Sequence, residues 1–125
     1  MNRVELAGIL LAAPEIRDVG APPYQSTIAE FTIITSSVRF DRRTETDVVD
    51  KSFIRCQAWE DLAGVVAGWE LGAFVHVVGE LTQQEITTPA GKTDRKTRVR
   101  VMAPTLVRSP ARSRPVPEPT EAPAY

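Results

Sequence analysis

The sequence predicts an all-β domain, a five-stranded barrel with one short helix between strands 3 and 4, followed by a disordered C-terminal tail. Three observations carry that reading. Residues 3–11, 27–37, 48–59, 73–88 and 96–107 alternate apolar with polar side chains or concentrate β-branched ones, in the manner of strands. From Glu60 the apolar spacing switches, once, to that of a helix. Gly8 and Gly79 fall in mid-strand, where a small barrel needs corners. With 125 residues and 42% hydrophobic side chains the chain can build one core, and most of the excess among its 10 prolines lies at the end.

In the first strand Val4, Leu6, Gly8 and Leu10 alternate with Arg3, Glu5, Ala7 and Ile9. Residues 12–26 carry Pro14, Gly20, Pro22 and Pro23 and read as a loop, with room for no more than a short excursion at 15–19. Residues 27–37 are β-branched and aromatic and form the second strand. Residues 38–50 mix charges of both signs without a period, which predicts a long mobile connection carrying Phe40 among Arg39, Arg42 and Arg43.

In the third strand Phe53, Arg55, Gln57 and Trp59 alternate with Ile54, Cys56 and Ala58, so the two sets face opposite sides of a sheet. One face can be core. The other presents two aromatic rings with a guanidinium between them, a surface suited to stacking on unpaired bases.

Leu62, Val65, Val66 and Trp69 then follow helical spacing, with Gly72 as a stop, which makes Trp69 a core anchor and leaves Trp59 for the surface. The fourth strand, 73–88, contains a β-branched run at 75–78 that offers apolar surface to a symmetric partner. Pro89, Ala90, Gly91 and Lys92 turn the chain into the fifth strand, where Lys96, Arg98 and Arg100 share one face and Thr97, Val99 and Val101 the other.

A formal net charge of -1 argues against indiscriminate attraction to polyanions, so a nucleic-acid role must rest on how charge is distributed. Arg39, Arg42 and Arg43 form one basic cluster; Lys92, Arg95, Lys96, Arg98 and Arg100 form another, in which Asp94 is the only acid. The one cysteine, Cys56, lies on the inward set, which excludes an internal disulfide and a multi-cysteine metal site. The one histidine, His76, sits in an apolar β run with no second ligand or triad partner at a matching spacing. No opposed carboxylate pair and no Gly-rich phosphate loop is recognisable, so neither an enzyme nor a cofactor is expected. No apolar run reaches the roughly 18 residues that span a bilayer, and no signal-peptide pattern opens the chain, so a soluble, intracellular protein is expected. Residues 108–125, rich in proline and without apolar period, are expected to be disordered.

Three strands, a helix and two strands with glycine corners is the order of an OB barrel. The residues that fill it also carry a resemblance. Asn2-Arg3-Val4 leading to Leu6, Gly8 and Leu10, Pro14-Glu15-Ile16-Arg17, and the segments 29–35, 53–62 and 72–81 resemble the bacterial single-stranded DNA-binding proteins, over residues 1–107. The resemblance implies an OB-fold subunit, usually a homotetramer, that coats single-stranded DNA without sequence preference in replication, recombination and repair. By position, Phe53 and Trp59 match stacking aromatics of that family and Arg55 a basic position between them, while Arg39 and Phe40 straddle a further aromatic position. The family often has a tryptophan where this chain has Ile86, which removes one stacking platform and implies weaker binding per subunit or more reliance on charge. Family tails tend to end in an acidic tip with an aromatic that recruits repair and replication proteins; here Glu118 and Glu121 are the tail's acids and Tyr125 its aromatic.

The expected ssDNA-binding residues are therefore Phe53, Arg55, Trp59, Arg39, Phe40, Arg42, Arg43, Lys92, Arg95, Lys96, Arg98 and Arg100. The alternative is an oligomeric OB-fold adaptor for replication proteins with weak DNA binding of its own, favoured by the near-neutral charge, Ile86 and the altered tail.

Overall fold

A computed structural model of the protein describes residues 1–110. Its elements are β1 (Val4–Leu10), β2 (Glu15–Val19), β3 (Ser26–Asp41), β4 (Thr46–Trp59), α1 (Asp61–Val66), β5 (Phe74–Thr87) and β6 (Thr93–Arg108). The expected five-strand ring is present: β1, β5, β6, β4 and β3 are neighbours in that order, and β1 returns to β3 through Ile9↔Ile34 and Leu10↔Ile33. Neighbours pair antiparallel except β4 and β6, which run parallel at Cys56↔Val99 and Gln57↔Arg100. The excursion at 15–19 is a sixth strand, β2, laid along the first half of β3.

The core fills the ring from the inward-facing sets: Leu10, Ala29, Phe31, Ile33, Cys56, Ala58, Val75, Val77, Val99 and Val101. The helix adds Ala63 and Val66 from one end. Trp69 is 6% exposed and packs edge-on against Phe31, with ring centroids 5.5 Å apart. Burial pushes the Cys56 thiol up to about 12, so it stays protonated and acts as small apolar filler.

Three sequence expectations need correction. Residues 38–50 are not a loose connection: β3 and β4 stay paired out to Asp41↔Thr46, and the turn is residues 42–45. The helix is shorter than its apolar stripe, ending at Val66 and leaving Val65 exposed, and Trp69 reaches the core from the turn that follows. Within the run 75–78, Val75 and Val77 point into the core, so the outer face carries Phe74, His76 and Val78 instead. Of the expected tail, Arg108 closes β6, and residues 111–125, with Glu118, Glu121 and Tyr125, lie outside the described residues.

Candidate nucleic-acid interface

β3 and β4 form a hairpin whose register fixes what shares its outer face. Opposite residues in an antiparallel pair lie on the same side, so Phe53 stands beside Ile34, Arg55 beside Thr32, Gln57 beside Glu30 and Trp59 beside Ile28. Their alternates Ile54, Cys56 and Ala58 face the core. Phe53 is 60% exposed, Arg55 is exposed, and Trp59 is half-buried with one side open to a groove. The expected stacking face is therefore outside the barrel.

The same parity continues up the hairpin beyond the barrel. Ser36↔Lys51, Val38↔Val49 and Phe40↔Asp47 share the face of Phe53, so Val38, Phe40, Val49 and Phe53 make an exposed apolar ladder with Lys51 inside it. Phe40, 60% exposed, thus shares the outer face of Phe53 near the hairpin tip, where the turn holds Arg42 and Arg43. Arg39 does not join it. It lies on the opposite side of the hairpin, where its Nε donates to Asp50 Oδ2 at 2.7 Å. Lys51, Val38 and Val49 escaped the sequence-based site, although each keeps the parity of Phe53 or of its partner and so was within reach of the two-residue period.

A second hairpin, β5 and β6, carries the cations. Glu80↔Arg100, Thr82↔Arg98 and Gln84↔Lys96 share one side, which the parallel pair Gln57↔Arg100 joins to the outer face of β4. Arg100 and Lys96 carry no ion pair among the described residues, and Arg98 Nη1 donates to the neutral Gln84 Oε1 at 2.9 Å, so its charge stays uncompensated there. Arg95 faces the other way, within 3.4 Å of Glu85 Oε2, and Lys92 sits in the turn. The register thus separates Arg95 from the three cations it neighbours in sequence. Ile86, paired with Asp94, stands half-buried on the cationic side.

Glu30 lies inside this surface, which also carries Asp47, Glu80 and Asp94. Glu30 Oε2 accepts from Gln57 Nε2 at 2.8 Å, while its Oε1 accepts from Arg17 Nε at 3.1 Å and lies 3.1 Å from Arg17 Nη2 in an ion pair. The Gln57 hydrogen bond, with Arg17 and the nearby Arg55 charge, holds the Glu30 carboxyl below its ordinary range against the opposing push of burial. Glu30 and its partner Arg17 had no sequence signal, because they meet only through the β2–β3 pairing. Among the described residues no group of three or more His, Cys, Asp or Glu is placed to hold a metal, and no helix is long and apolar enough to cross a membrane.

A model described as the Single-strand binding protein family matches residues 1–107. Among solved structures, the Plasmodium falciparum SSB in complex with ssDNA superposes with a TM-score of 0.77 at 17% identity, covering 86% of this chain and 95% of that one. A deletion mutant of the single-stranded DNA binding protein from Thermus aquaticus gives a TM-score of 0.74 at 19% identity, covering 86% of this chain and 50% of that one. The chain therefore spans about half the length of the Thermus aquaticus protein, and at these identities both likenesses speak to the fold. No curated protein sequence matches. With the OB barrel in place and the family model matched across nearly all of its described residues, the chain belongs to the single-strand binding protein family.

Proposed function

We propose that the chain binds single-stranded DNA through base stacking on Phe53, Trp59 and Phe40 and phosphate contacts from Arg55, Arg100, Arg98 and Lys96, and that it serves to protect such strands in replication, recombination and repair. Arg42, Arg43 and Lys92, at the two hairpin tips, belong to the outer parts of the same path. The observation that carries this is the continuity of the outer face, in which an aromatic hairpin and a cationic hairpin are joined edge to edge at Gln57↔Arg100. Stacking contributes about 1–3 kcal/mol per base and tolerates every base; phosphate contacts add a salt-dependent term. Arg39 and Arg95, turned away and ion-paired, are left out of the contact set.

Assembly into a homo-oligomer, a homotetramer in the family pattern, is part of the proposal. The outer face of β1 and β5 supports it, with Ile9, Phe74 and Val78 partly exposed beside the His76 Nε2 contact to Glu5 Oε2 at 2.7 Å. The folded domain is proposed to end with β6 at Arg108, so that the tail begins at residue 109.

The test is binding to a homopolymeric single strand and to its duplex, followed by tryptophan fluorescence. Strong preference for the single strand with quenching is expected, and the quenching is assigned to Trp59 because Trp69 is enclosed. Equal affinity for both forms overturns the proposal. An oligomer that leaves the fluorescence unchanged would point to the adaptor role.

A further inference from the structure

We propose that the groove lined by Gln57, Trp59, Thr82 and Arg100 is a single-base subsite that favours a base with an exocyclic amine beside a ring-nitrogen acceptor, as in cytosine, over thymine. The inference rests on the single-strand reading above and adds one position at which base identity is felt.

Gln57 is the key. In register it lies between Glu30 on β3 and Arg100 on β6, and it is 8% exposed, so its amide is held rather than free to turn. Its Nε2 donates to Glu30, whose other oxygen is fixed by two contacts from Arg17. An ionised carboxylate accepts and cannot donate, so a flipped amide would set its carbonyl against the anion. That leaves Oε1 as the end of the amide not engaged with Glu30; it accepts no hydrogen bond among the described residues, and Gln57 lines the groove.

The groove's other polar groups complete a pattern. Arg100 donates and cannot accept. Thr82 uses its hydroxyl proton on the Arg98 carbonyl at 3.3 Å, so toward a ligand it too acts as an acceptor. Trp59 offers a ring for stacking. A cytosine stacked there can direct its N4 amine to Gln57 Oε1 and its N3 and O2 to Arg100. Thymine has a carbonyl oxygen where cytosine has the amine, and that oxygen would oppose Oε1. Glu30 and Arg17 act on the base through Gln57 and are positioning residues.

The experiment measures affinities of the full chain for oligo-dC and oligo-dT of equal length, at mildly alkaline pH where cytosine is unprotonated. Glu30→Gln frees the Gln57 amide to present either end and should lower the dC:dT affinity ratio about three- to tenfold, the worth of one hydrogen bond. Oligo-dT binding should hold or strengthen in that variant, since an anion is removed. Gln57→Met, which keeps volume and deletes the acceptor, should lower the ratio similarly. Trp59→Ala should weaken both oligomers and leave the ratio in place. A ratio unchanged in both Glu30→Gln and Gln57→Met overturns the subsite while single-strand binding stands. Failure of the unmodified chain to bind either oligomer overturns the single-strand reading itself.

Discussion

Trp59 and Trp69 have the same side chain and opposite surroundings, and the difference is set by period. Trp59 falls on the outward beat of β4, whereas Trp69, which the sequence places on the helical stripe, reaches the core from the turn after α1, where Phe31 meets its ring. That much was legible from residue spacing, as was the outward set of Phe53, Arg55 and Gln57. The partners that give Gln57 its orientation were not, because Glu30 lies 27 residues away from it in sequence. Glu30 carries a prediction of its own. Its folded-state carboxyl is depressed below the ordinary carboxylate range, chiefly by the Gln57 hydrogen bond, so its ionised form stabilises the fold at pH values above that range and the contribution fades as pH falls through the folded value. Urea midpoints of the unmodified chain and Glu30→Gln should therefore differ most at neutral pH and draw together in acid. A gap independent of pH would mean that the carboxylate's charge is not what matters.

At the scale of elements the molecule is a barrel with two hairpins extended from it, one apolar on its outer face and one cationic. The cationic row is legible in the sequence because a strand period places Lys96, Arg98 and Arg100 together. Residues 38–50 look loose in sequence because that ladder has solvent on both faces: with no buried side, Val38 and Phe40 alternate with Arg39 and Asp41 without the apolar contrast that marks a half-buried strand. What orders it is pairing with a partner strand, a property no local window contains. The short helix was overextended for the reverse reason, since Val65 fits the stripe yet remains exposed once the chain turns after Val66. The division of the two hairpins predicts separable mutational signatures. Lys96→Ala should reduce the slope of log affinity against log salt by about 0.7, the single-strand value per phosphate contact, and Arg95→Ala, facing Glu85, should leave it unchanged. Trp59→Ala should lower affinity by about tenfold at every salt concentration without altering the slope. Equal slopes for Lys96→Ala and Arg95→Ala would show that the two faces of β6 are not distinguished by DNA.

For the whole molecule the decisive feature is closure, because the ring encloses the core only where β1 returns to β3, whereas β3, β4 and β6 pair directly with one another and keep the outer face continuous. The seam lies where β1 leaves β5 and meets β3. Gly8 sits at that crossing, and a Cβ there would run into the Ile34 carbonyl and come within 2.8 Å of Ile33 Cγ2. Gly79 has the equivalent place against the Arg100 carbonyl, beside the register shift that bends β5. These glycines are required by close approach of backbones, and a methyl group at either must push strands apart. Gly8→Ala should cost about 1–3 kcal/mol of stability, as overpacking of a dense interior does. Gly64→Ala is the control: its helical site has nothing within 4 Å of a new Cβ, and the change should stabilise by about 0.5–1 kcal/mol through helix propensity. Denaturant midpoints read both. Opening the seam at β1 leaves the β3–β4 ladder and its junction with β6 intact, so the Gly8→Ala chain, while folded, should keep most of its single-strand affinity. A Gly8→Ala chain as stable as the original would mean that β1 and β3 do not close at that crossing.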